Sequence, residues 1–302
     1  MDGILNVLKP SGMTSHDVVS YIRKCTRIKK VGHTGTLDPG ATGVLPICIG
    51  KATKTVELLS DHDKEYRAEL KLGIVTDTQD SFGQILSKRK VNISREMLEK
   101  VILNFKGTIE QIPPMYSAIK IKGQKLYELA RRGIEIERKP RQVKIYDIKI
   151  IDVDLVSNTV LLNIRCSKGT YIRTLCFDIG EKLGCGAYMS FLLRTKSGNF
   201  TLEESITIDT IEQYSQANKL NELLVPIDEV FSYFPSIIVN ADVEKKVVNG
   251  NEIPIDLISG RGALEEGVTY RVYNHQDVFL CLSKVIKKPN KRLFLKLVKS
   301  FF

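Results

Sequence analysis

Apolar residues at the start of the chain follow first the period of a strand and then that of a helix. A short apolar run over residues 4–8 ends at a Pro- and Gly-containing turn over 9–12, which predicts a strand. Thr14 or Ser15 then caps a helix that has Asp17 in its first turn, where the helix dipole favours an acidic group. The apolar face of this helix is formed by Val18, Tyr21, Ile22 and Cys25.

The same patterns predict four more strands and two more helices before residue 185. Strands are predicted at 44–49, 66–72, 142–150 and 159–166. A helix is predicted over 94–105, with an apolar face of Met97, Leu98, Val101, Ile102 and Phe105. A second helix follows Gly169 and buries Ile172, Leu175, Ile179 and Leu183. Arg173 lies off that face, so its charge is free to meet a charged partner.

The C-terminal part of the chain has a different pattern. A boundary is predicted near residues 233–235, and beyond it short strands at 236–239, 268–273, 278–285 and 293–298 are separated by Gly, Asn and Pro. Asn249-Gly250 is a strong turn signal. This pattern indicates a small β-rich module, and the chain contains no internal repeat.

Composition narrows the class of protein. With 302 residues, 43% of them hydrophobic and 26% charged, the chain is that of an ordinary globular protein with room for more than one domain. No segment is apolar for long enough to span a bilayer and no signal peptide is visible, so we expect a cytoplasmic protein. The six cysteines include no Cys-x-x-Cys pair and the four histidines have no ligand spacing, so no metal site is expected.

Net charge indicates a class of partner. The formal charge of +10 and the pI near 9.2 favour a polyanion, although a basic protein without such a partner has the same balance. Basic residues are dense between 116 and 144, where Tyr116 and Tyr127 are interleaved with nine Lys and Arg. That segment suits contacts to phosphates and bases, and a solvated basic helix with loops explains its charge equally well.

Residues 32–54 hold a single carboxylate, Asp38, among glycines, hydroxyls and His33. A phosphate-binding Walker loop does not fit, because Leu45 stands where the first Gly is required and Ala52 follows Gly50-Lys51. Glycoside hydrolysis needs a second carboxyl group, which only Asp61 or Asp63 nearby would supply. A tight turn of structural importance alone also explains Asp38 before Pro39. From the residues alone, a solitary nucleophile and a structural turn both stay open.

Several motifs occur in a fixed order. They are Lys-Pro-Ser-Gly-Met-Thr-Ser at 9–15, the whole block 32–54, Asp-Lys-Glu-Tyr-Arg at 63–67, Thr-Asp-Thr-Gln-Asp at 76–80, Pro-Pro-Met-Tyr-Ser-Ala at 113–118 and Lys-Gly-Thr-Tyr-Ile-Arg at 168–173. In this order and spacing the chain closely resembles the TruB family, the bacterial tRNA pseudouridine-55 synthases, nearly end to end. Residues 248–253 resemble part of the RNA-binding PUA module.

The resemblance implies an isomerase that acts on uridine 55 in the T-loop of tRNA. Such an enzyme breaks the N1–C1′ bond, turns the uracil and rejoins it through C5, and it requires no cofactor. Asp38 corresponds to the nucleophile, and Arg173 to the partner that favours its ionised form. Tyr66 corresponds to the aromatic residue that stacks on the flipped base, and its phenol is also a candidate acceptor for a proton. The other implied substrate contacts are His33, Asp80, Tyr171 and Leu192.

The resemblance also implies an architecture and a set of partners. The expected fold is α+β, with a mixed catalytic domain at 1–232 around a large, mainly antiparallel sheet and a small β-rich PUA-like RNA-binding domain at 233–302. The basic segment at about 116–144 corresponds to an insertion that contacts RNA, and a monomer without an obligate protein partner is expected. Leu193 departs from the family, which commonly has Arg there, so one basic contact is in doubt.

Two other functions compete with this interpretation. A non-catalytic RNA-binding protein or chaperone would have the same charge and the same β-rich tail. The uninterrupted Asp38 block together with Arg173 argues against it, because binding alone needs neither. A synthase of the same class directed to ribosomal RNA, or guided by RNA, is the second rival. The chain has no long lysine-rich extension, which favours direct recognition of tRNA.

Overall fold

The computed structural model of the protein describes residues 1–121, 123–258, 264–289 and 291–302, so Lys122 of the basic segment lies outside the described residues. The strands in chain order are β1 (Gly3–Lys9), β2 (Val31–His33), β3 (Thr42–Ile49), β4 (Lys64–Leu72), β5 (Ile74–Thr76), β6 (Ile85–Lys88), β7 (Gly107–Gln111), β8 (Lys120–Ile121), β9 (Gln124–Lys125), β10 (Arg141–Asp154), β11 (Thr159–Cys166), β12 (Ala187–Ser197), β13 (Phe200–Thr201), β14 (Ser236–Val239), β15 (Ile253–Pro254), β16 (Thr269–Asn274), β17 (Phe279–Lys287) and β18 (Leu293–Ser300). The α-helices are α1 (Ser15–Thr26), α2 (Val56–Ser60), α3 (Arg95–Leu103), α4 (Leu126–Ala130), α5 (Ile172–Lys182), α6 (Ile208–Gln216) and α7 (Ala241–Val248).

A large mixed sheet organises the first two thirds of the chain. Its strand order is β1-β3-β12-β4-β11-β10-β7, with β2 beside β3 and β13 beside β12. Every pairing is antiparallel except that of β12 with β3, which confirms the expected mixed fold around a mainly antiparallel sheet. Buried residues of α1, α3, α5 and α6 join the apolar side chains of this sheet in one core.

The sequence patterns located five strands of this sheet, β1, β3, β4, β10 and β11, but not β2, β7, β12 or β13. The strand predicted at 159–166 has those bounds, and the one predicted at 142–150 is the middle of the longer β10. α2, α6 and α7 had not been predicted: α2 has only five residues, and α6 and α7 bury only one and two side chains. In α3 the prediction that Met97 lies on the apolar face is wrong. Leu98 and Ile102 are the buried residues of this helix, and Met97 is exposed. No helix in the described parts of the chain has the length and apolarity that crossing a bilayer requires.

The C-terminal residues form a second sheet, of order β14-β16-β17-β18-β15, against which α7 packs. The turn signal at 249–250 ends α7, since Gly250 has a φ of +74°. An apolar cluster joins this sheet to the large one, and it includes Phe231, Leu282 and Phe301 with Ile4 and Val44 of the first sheet. The two sheets therefore share buried surface.

The basic segment at 116–144 forms a small structure of its own. The β8–β9 hairpin and the short α4 pack over a minor core of Met115, Leu126 and Leu129. The Lys125 ammonium lies 5.3 Å and the Arg131 guanidinium 5.4 Å from the centre of the Tyr127 ring. Two of the basic side chains of this segment thus form cation–π contacts with a tyrosine of the same segment.

A half-buried carboxyl group in α5, that of Asp178, gives a prediction about stability. Burial, with a smaller contribution from Glu181, raises the pKa of Asp178 to about 6. The native state therefore holds this proton more tightly than the unfolded chain. The ionised carboxylate destabilises the native state, and this destabilisation is absent below about pH 4 and complete above the raised pKa. We expect Asp178→Asn to stabilise the protein by about 1–2 kcal/mol at pH 7.5 and by much less at pH 4. Urea unfolding at both pH values checks this, and an equal gain at both would contradict it.

Candidate active site

Asp38 lies in the loop between β2 and β3, and hydrogen bonds from buried side chains hold this loop in place. The ammonium of Lys9, at the end of β1, donates to the carbonyls of Pro10 (2.8 Å), Met13 (2.6 Å) and Pro39 (3.2 Å). Burial lowers the pKa of Lys9 to about 8, although Asp38 acts in the opposite direction. Lys9 therefore has a structural role: it ties Pro39, the residue after Asp38, to the turn before α1.

The first residue of α1 provides a second tie. Thr14 is the N-cap, and it forms a capping box with Asp17. The Ser15 hydroxyl is therefore available for another role: it accepts from the amide of Leu37 at 2.8 Å and donates to the Leu37 carbonyl at 3.1 Å. The residues on either side of Asp38 are thus both held: Pro39 by Lys9 at the end of β1, and Leu37 by Ser15 at the start of α1.

Arg194 of β12 holds the loop from the other side. Its side chain is buried, and it donates to the carbonyls of Val44 (2.7 Å) and Gly35 (3.0 Å). Gly43, with a φ of +110°, lies so close that a Cβ there would be 2.2 Å from the Arg194 carbonyl oxygen. Gly35 and Gly43 therefore both contact Arg194 closely, Gly35 through its carbonyl and Gly43 through the absence of a side chain.

Arg173 and Asp38 form a bidentate ion pair. Nε of Arg173 lies 2.8 Å from Oδ2 of Asp38, and Nη2 lies 3.3 Å from Oδ1. The Arg173 side chain is 5% exposed, whereas that of Asp38 is 35% exposed. The same guanidinium donates to the carbonyls of Thr78 (3.0 Å) and Tyr116 (2.8 Å). A fixed, buried cation thus orients a carboxylate that still faces solvent.

Asp80 joins this ion pair. Its Oδ2 lies 3.5 Å from Nη1 of Arg173, and its Oδ1 accepts from the Thr78 hydroxyl at 2.6 Å and the Phe82 amide at 3.0 Å. Asp80 therefore fixes the β5–β6 loop against Arg173. Two carboxylates share one guanidinium, and Asp38 is the more exposed of the two.

Tyr66 lies on β4 opposite Arg194 and packs against the main core. Burial raises the pKa of its phenol, and the charge of Arg194 opposes that rise. The ring is accordingly a neutral phenol at neutral pH, which suits stacking better than proton acceptance.

The other predicted contacts surround the same loop or support it. His33 ends β2, and its Nδ1 accepts from the Gly35 amide at 3.2 Å. Burial and then Arg194 lower the pKa of His33, so its ring is neutral at neutral pH. Tyr171 occupies the position before α5, and the Gln111 side chain accepts from its backbone amide and donates to its carbonyl. Leu192 is buried in the main core, two residues before Arg194.

Asp61 and Asp63, the carboxylates considered for a paired mechanism, have other partners. Asp61 pairs with Lys168 at 2.7 Å, and Asp63 with Arg165 at 3.3 Å. Both line a separate cavity of about 520 Å³ to which Asp38 does not contribute. The second carboxylate near Asp38 is Asp80, which sequence spacing alone would not have indicated.

Comparison with known proteins identifies the family to which this loop belongs. Residues 23–172 match the N-terminal domain model of the TruB family pseudouridylate synthases, and residues 173–232 match the C-terminal domain model of tRNA pseudouridylate synthase B. The chain belongs to the TruB family. It is therefore a pseudouridine synthase, an isomerase that converts uridine to pseudouridine.

Curated relatives agree with this membership. The tRNA pseudouridine synthase B of Alkaliphilus oremlandii (strain OhILAs) is 56% identical over 253 residues, which are 84% of this chain and 83% of the relative. The protein of the same name from Clostridium acetobutylicum is 48% identical over 294 residues, or 96% of this chain and 98% of the relative. The TruB-family chain thus aligns with these relatives over most of its length.

A solved structure has the same fold. A chain of a Cbf5-Nop10-Gar1 complex superposes with a TM-score of 0.73 at 27% identity, covering 99% of this TruB-family chain and 85% of that chain. The match extends through the second sheet, since nearly the whole chain is covered.

Proposed function

We propose that this synthase isomerises uridine 55 in the T-loop of tRNA and that Asp38 is its nucleophile. The bidentate Asp38–Arg173 pair carries the proposal, because it presents one oriented carboxylate at the surface of a loop that Lys9, Ser15 and Arg194 hold rigid. Preorganised charge of this kind costs no rearrangement during the reaction. The curated relatives, whose names specify tRNA, support that class of substrate.

The proposed reaction needs only groups that the chain supplies. The bond between N1 and C1′ breaks, the uracil turns, C5 bonds to C1′, and the proton lost from C5 is balanced by one gained at N1. Nothing is oxidised or reduced, so no cofactor is required. Asp38 attacks the nucleoside, and the bond that it forms breaks again before the product leaves, so the carboxylate is regenerated. The neutral Tyr66 ring stacks on the extruded base, while His33, Asp80, Tyr171 and Leu192 border the site.

One experiment tests reaction, substrate and position together. An unmodified tRNA transcript is incubated with the purified protein, and pseudouridine is then mapped along it. We expect complete conversion at uridine 55 and no product from a transcript with cytidine there. Conversion of a ribosomal RNA fragment at a higher rate than tRNA would overturn the tRNA assignment and favour the rival within the same enzyme class.

We further propose that residues 233–302 are a PUA-like domain that binds RNA beside a catalytic domain at 1–232, whose basic segment at 116–144 also contacts RNA. Residues 281–300, which include most of β17 and all of β18, carry seven Lys and Arg and no acidic residue. Lys284 and Lys296 stand directly opposite each other in this pairing. Lys296 also lies 3.8 Å from Glu252, whereas Lys284 has no ion-pair partner among the described residues. Facing like charges destabilise a sheet, so their presence favours a polyanionic partner.

A single substitution separates this binding role from folding. We expect Lys284→Ala to lower affinity for tRNA about three-fold and to reduce the slope of log affinity against log salt by about 1, with kcat unchanged at saturating tRNA. The melting temperature should hold or rise, because a like-charge pair is removed. Lys219→Ala, which changes an exposed lysine outside this sheet, is the control. An unchanged salt slope would remove Lys284 from the RNA-binding surface.

A further inference from the structure

Phe82, at the tip of the β5–β6 loop, is an aromatic ring left in water beside the active site. Its side chain is 74% exposed, the most among the aromatic residues that stand out as exposed in the described structure. The ring nevertheless lies against the Asp38 loop: a Cβ at Gly40 would be 2.1 Å from its Cε2 and 2.7 Å from its Cζ. One edge of the ring therefore rests on the backbone two residues after Asp38, and the rest faces solvent.

The loop that carries Phe82 is fixed by its own side chains. Oδ1 of Asp80 accepts from the Phe82 amide, and Oδ1 of Asp77 accepts from the Gln84 amide at 2.7 Å. Asp80 also meets Arg173, the partner of Asp38. Phe82 is thus linked to the nucleophile both through Gly40 and through Asp80 and Arg173. An exposed ring on so constrained a loop is preorganised for a ligand that approaches Asp38.

We propose that Phe82 is a stacking platform for a base of the RNA loop that neighbours the uridine held at Asp38. The inference rests on the proposed function, because it takes a loop of RNA as the substrate. Extruding a uridine unstacks its neighbours in the loop, and an aromatic face is the group that proteins use to hold unstacked bases. Phe lacks a polar group, so it recognises the flat face of a base and not its sequence.

Substitution of the ring tests the platform. We expect Phe82→Ala to raise KM for a tRNA stem-loop about ten-fold, with kcat lowered less than three-fold, since stacking on one base accounts for an effect of that size. Phe82→Trp should restore KM, because a larger aromatic face stacks at least as well. Failure of Trp to restore KM, or a fall in KM for Phe82→Ala as expected of a ring that obstructs the site, would overturn the proposal.

Gly40→Ala displaces the ring without deleting it. The methyl group would occupy the space of the Phe82 ring edge, and the exposed ring can swing away. We expect Gly40→Ala to raise KM in the wild-type background and to have little further effect in Phe82→Ala, because no ring is left to displace. Equal effects in both backgrounds would show that Gly40 acts on the Asp38 loop alone and would contradict the platform.

Two controls complete the experiment. Leu86→Ala removes an exposed apolar side chain (66% exposed) from the same hairpin, and it should leave KM unchanged; a rise equal to that of Phe82→Ala would assign the effect to general apolarity. Substrates with one abasic nucleotide in the loop identify the stacked base. Removal of that base should raise KM for the wild type and leave KM for Phe82→Ala unchanged. If the wild type fails to modify the stem-loop at all, the proposed function fails, which is a result distinct from any difference among these variants.

Discussion

Asp38→Asn is expected to reduce turnover of an unmodified tRNA transcript by about 10⁴-fold or more while tRNA binding stays within a few-fold of wild type. Asparagine has nearly the shape of aspartate, and its amide oxygen still accepts a hydrogen bond from Arg173, so the loop keeps its structure. The amide lacks the negative charge that attack on the nucleoside requires. Single-turnover assays with saturating enzyme, together with filter binding of labelled tRNA, measure the two quantities separately.

A matched carboxylate gives the control for this variant. Asp61 is exposed and pairs with Lys168 outside the Asp38 loop, so Asp61→Asn should leave turnover unchanged, because exposed ion pairs contribute little. If Asp38→Asn retained turnover within ten-fold of wild type, Asp38 would not be the nucleophile. A loss of tRNA binding equal to the loss of turnover would instead indicate that Asp38 acts in recognition.

Arg173→Ala should have the second largest effect, because it affects both the site and the fold. Without the guanidinium, Asp38 and Asp80 lose the cation they share, and the carbonyls of Thr78 and Tyr116 lose a buried donor. We expect turnover to fall by about 10³-fold and the free energy of unfolding to fall by about 3–5 kcal/mol. Single-turnover kinetics and urea unfolding measure the two losses.

Arg173→Lys separates these two consequences. Lysine keeps the positive charge but cannot form the paired contacts of the planar guanidinium, so stability should recover more than turnover does. Arg165→Ala, which removes an exposed arginine paired with Asp63, is the control and should change neither quantity appreciably. Wild-type turnover in a folded Arg173→Ala protein would exclude Arg173 from the site.

Local patterns predicted several elements that bury one face, but they missed β12, which lies in the middle of the large sheet and buries alternate residues. β11 was located to the residue because apolar positions alternate along it, and the α5 residues Ile172, Leu175 and Ile179 are buried as their spacing indicated. α6 and α7 were missed as well, and they bury only one and two side chains. The alternation of 142–150 likewise gave β10 but not its full length, since the strand continues to Asp154, where its residues are largely exposed.

The sequence by itself determined the family, the mixed fold and the candidacy of Asp38 and Arg173, because motif order and hydrophobic period are properties of the chain alone. Only the tertiary structure decided how the site is held. Lys9, Ser15 and Arg194 reach the Asp38 loop from separate elements, and Asp80 reaches Arg173 from a hairpin far along the chain. Such contacts depend on where strands pair and which buried donors then need acceptors, and no local pattern encodes that. The ring of Phe82 on Gly40 has the same origin, since those two residues meet only when the fold brings their loops together.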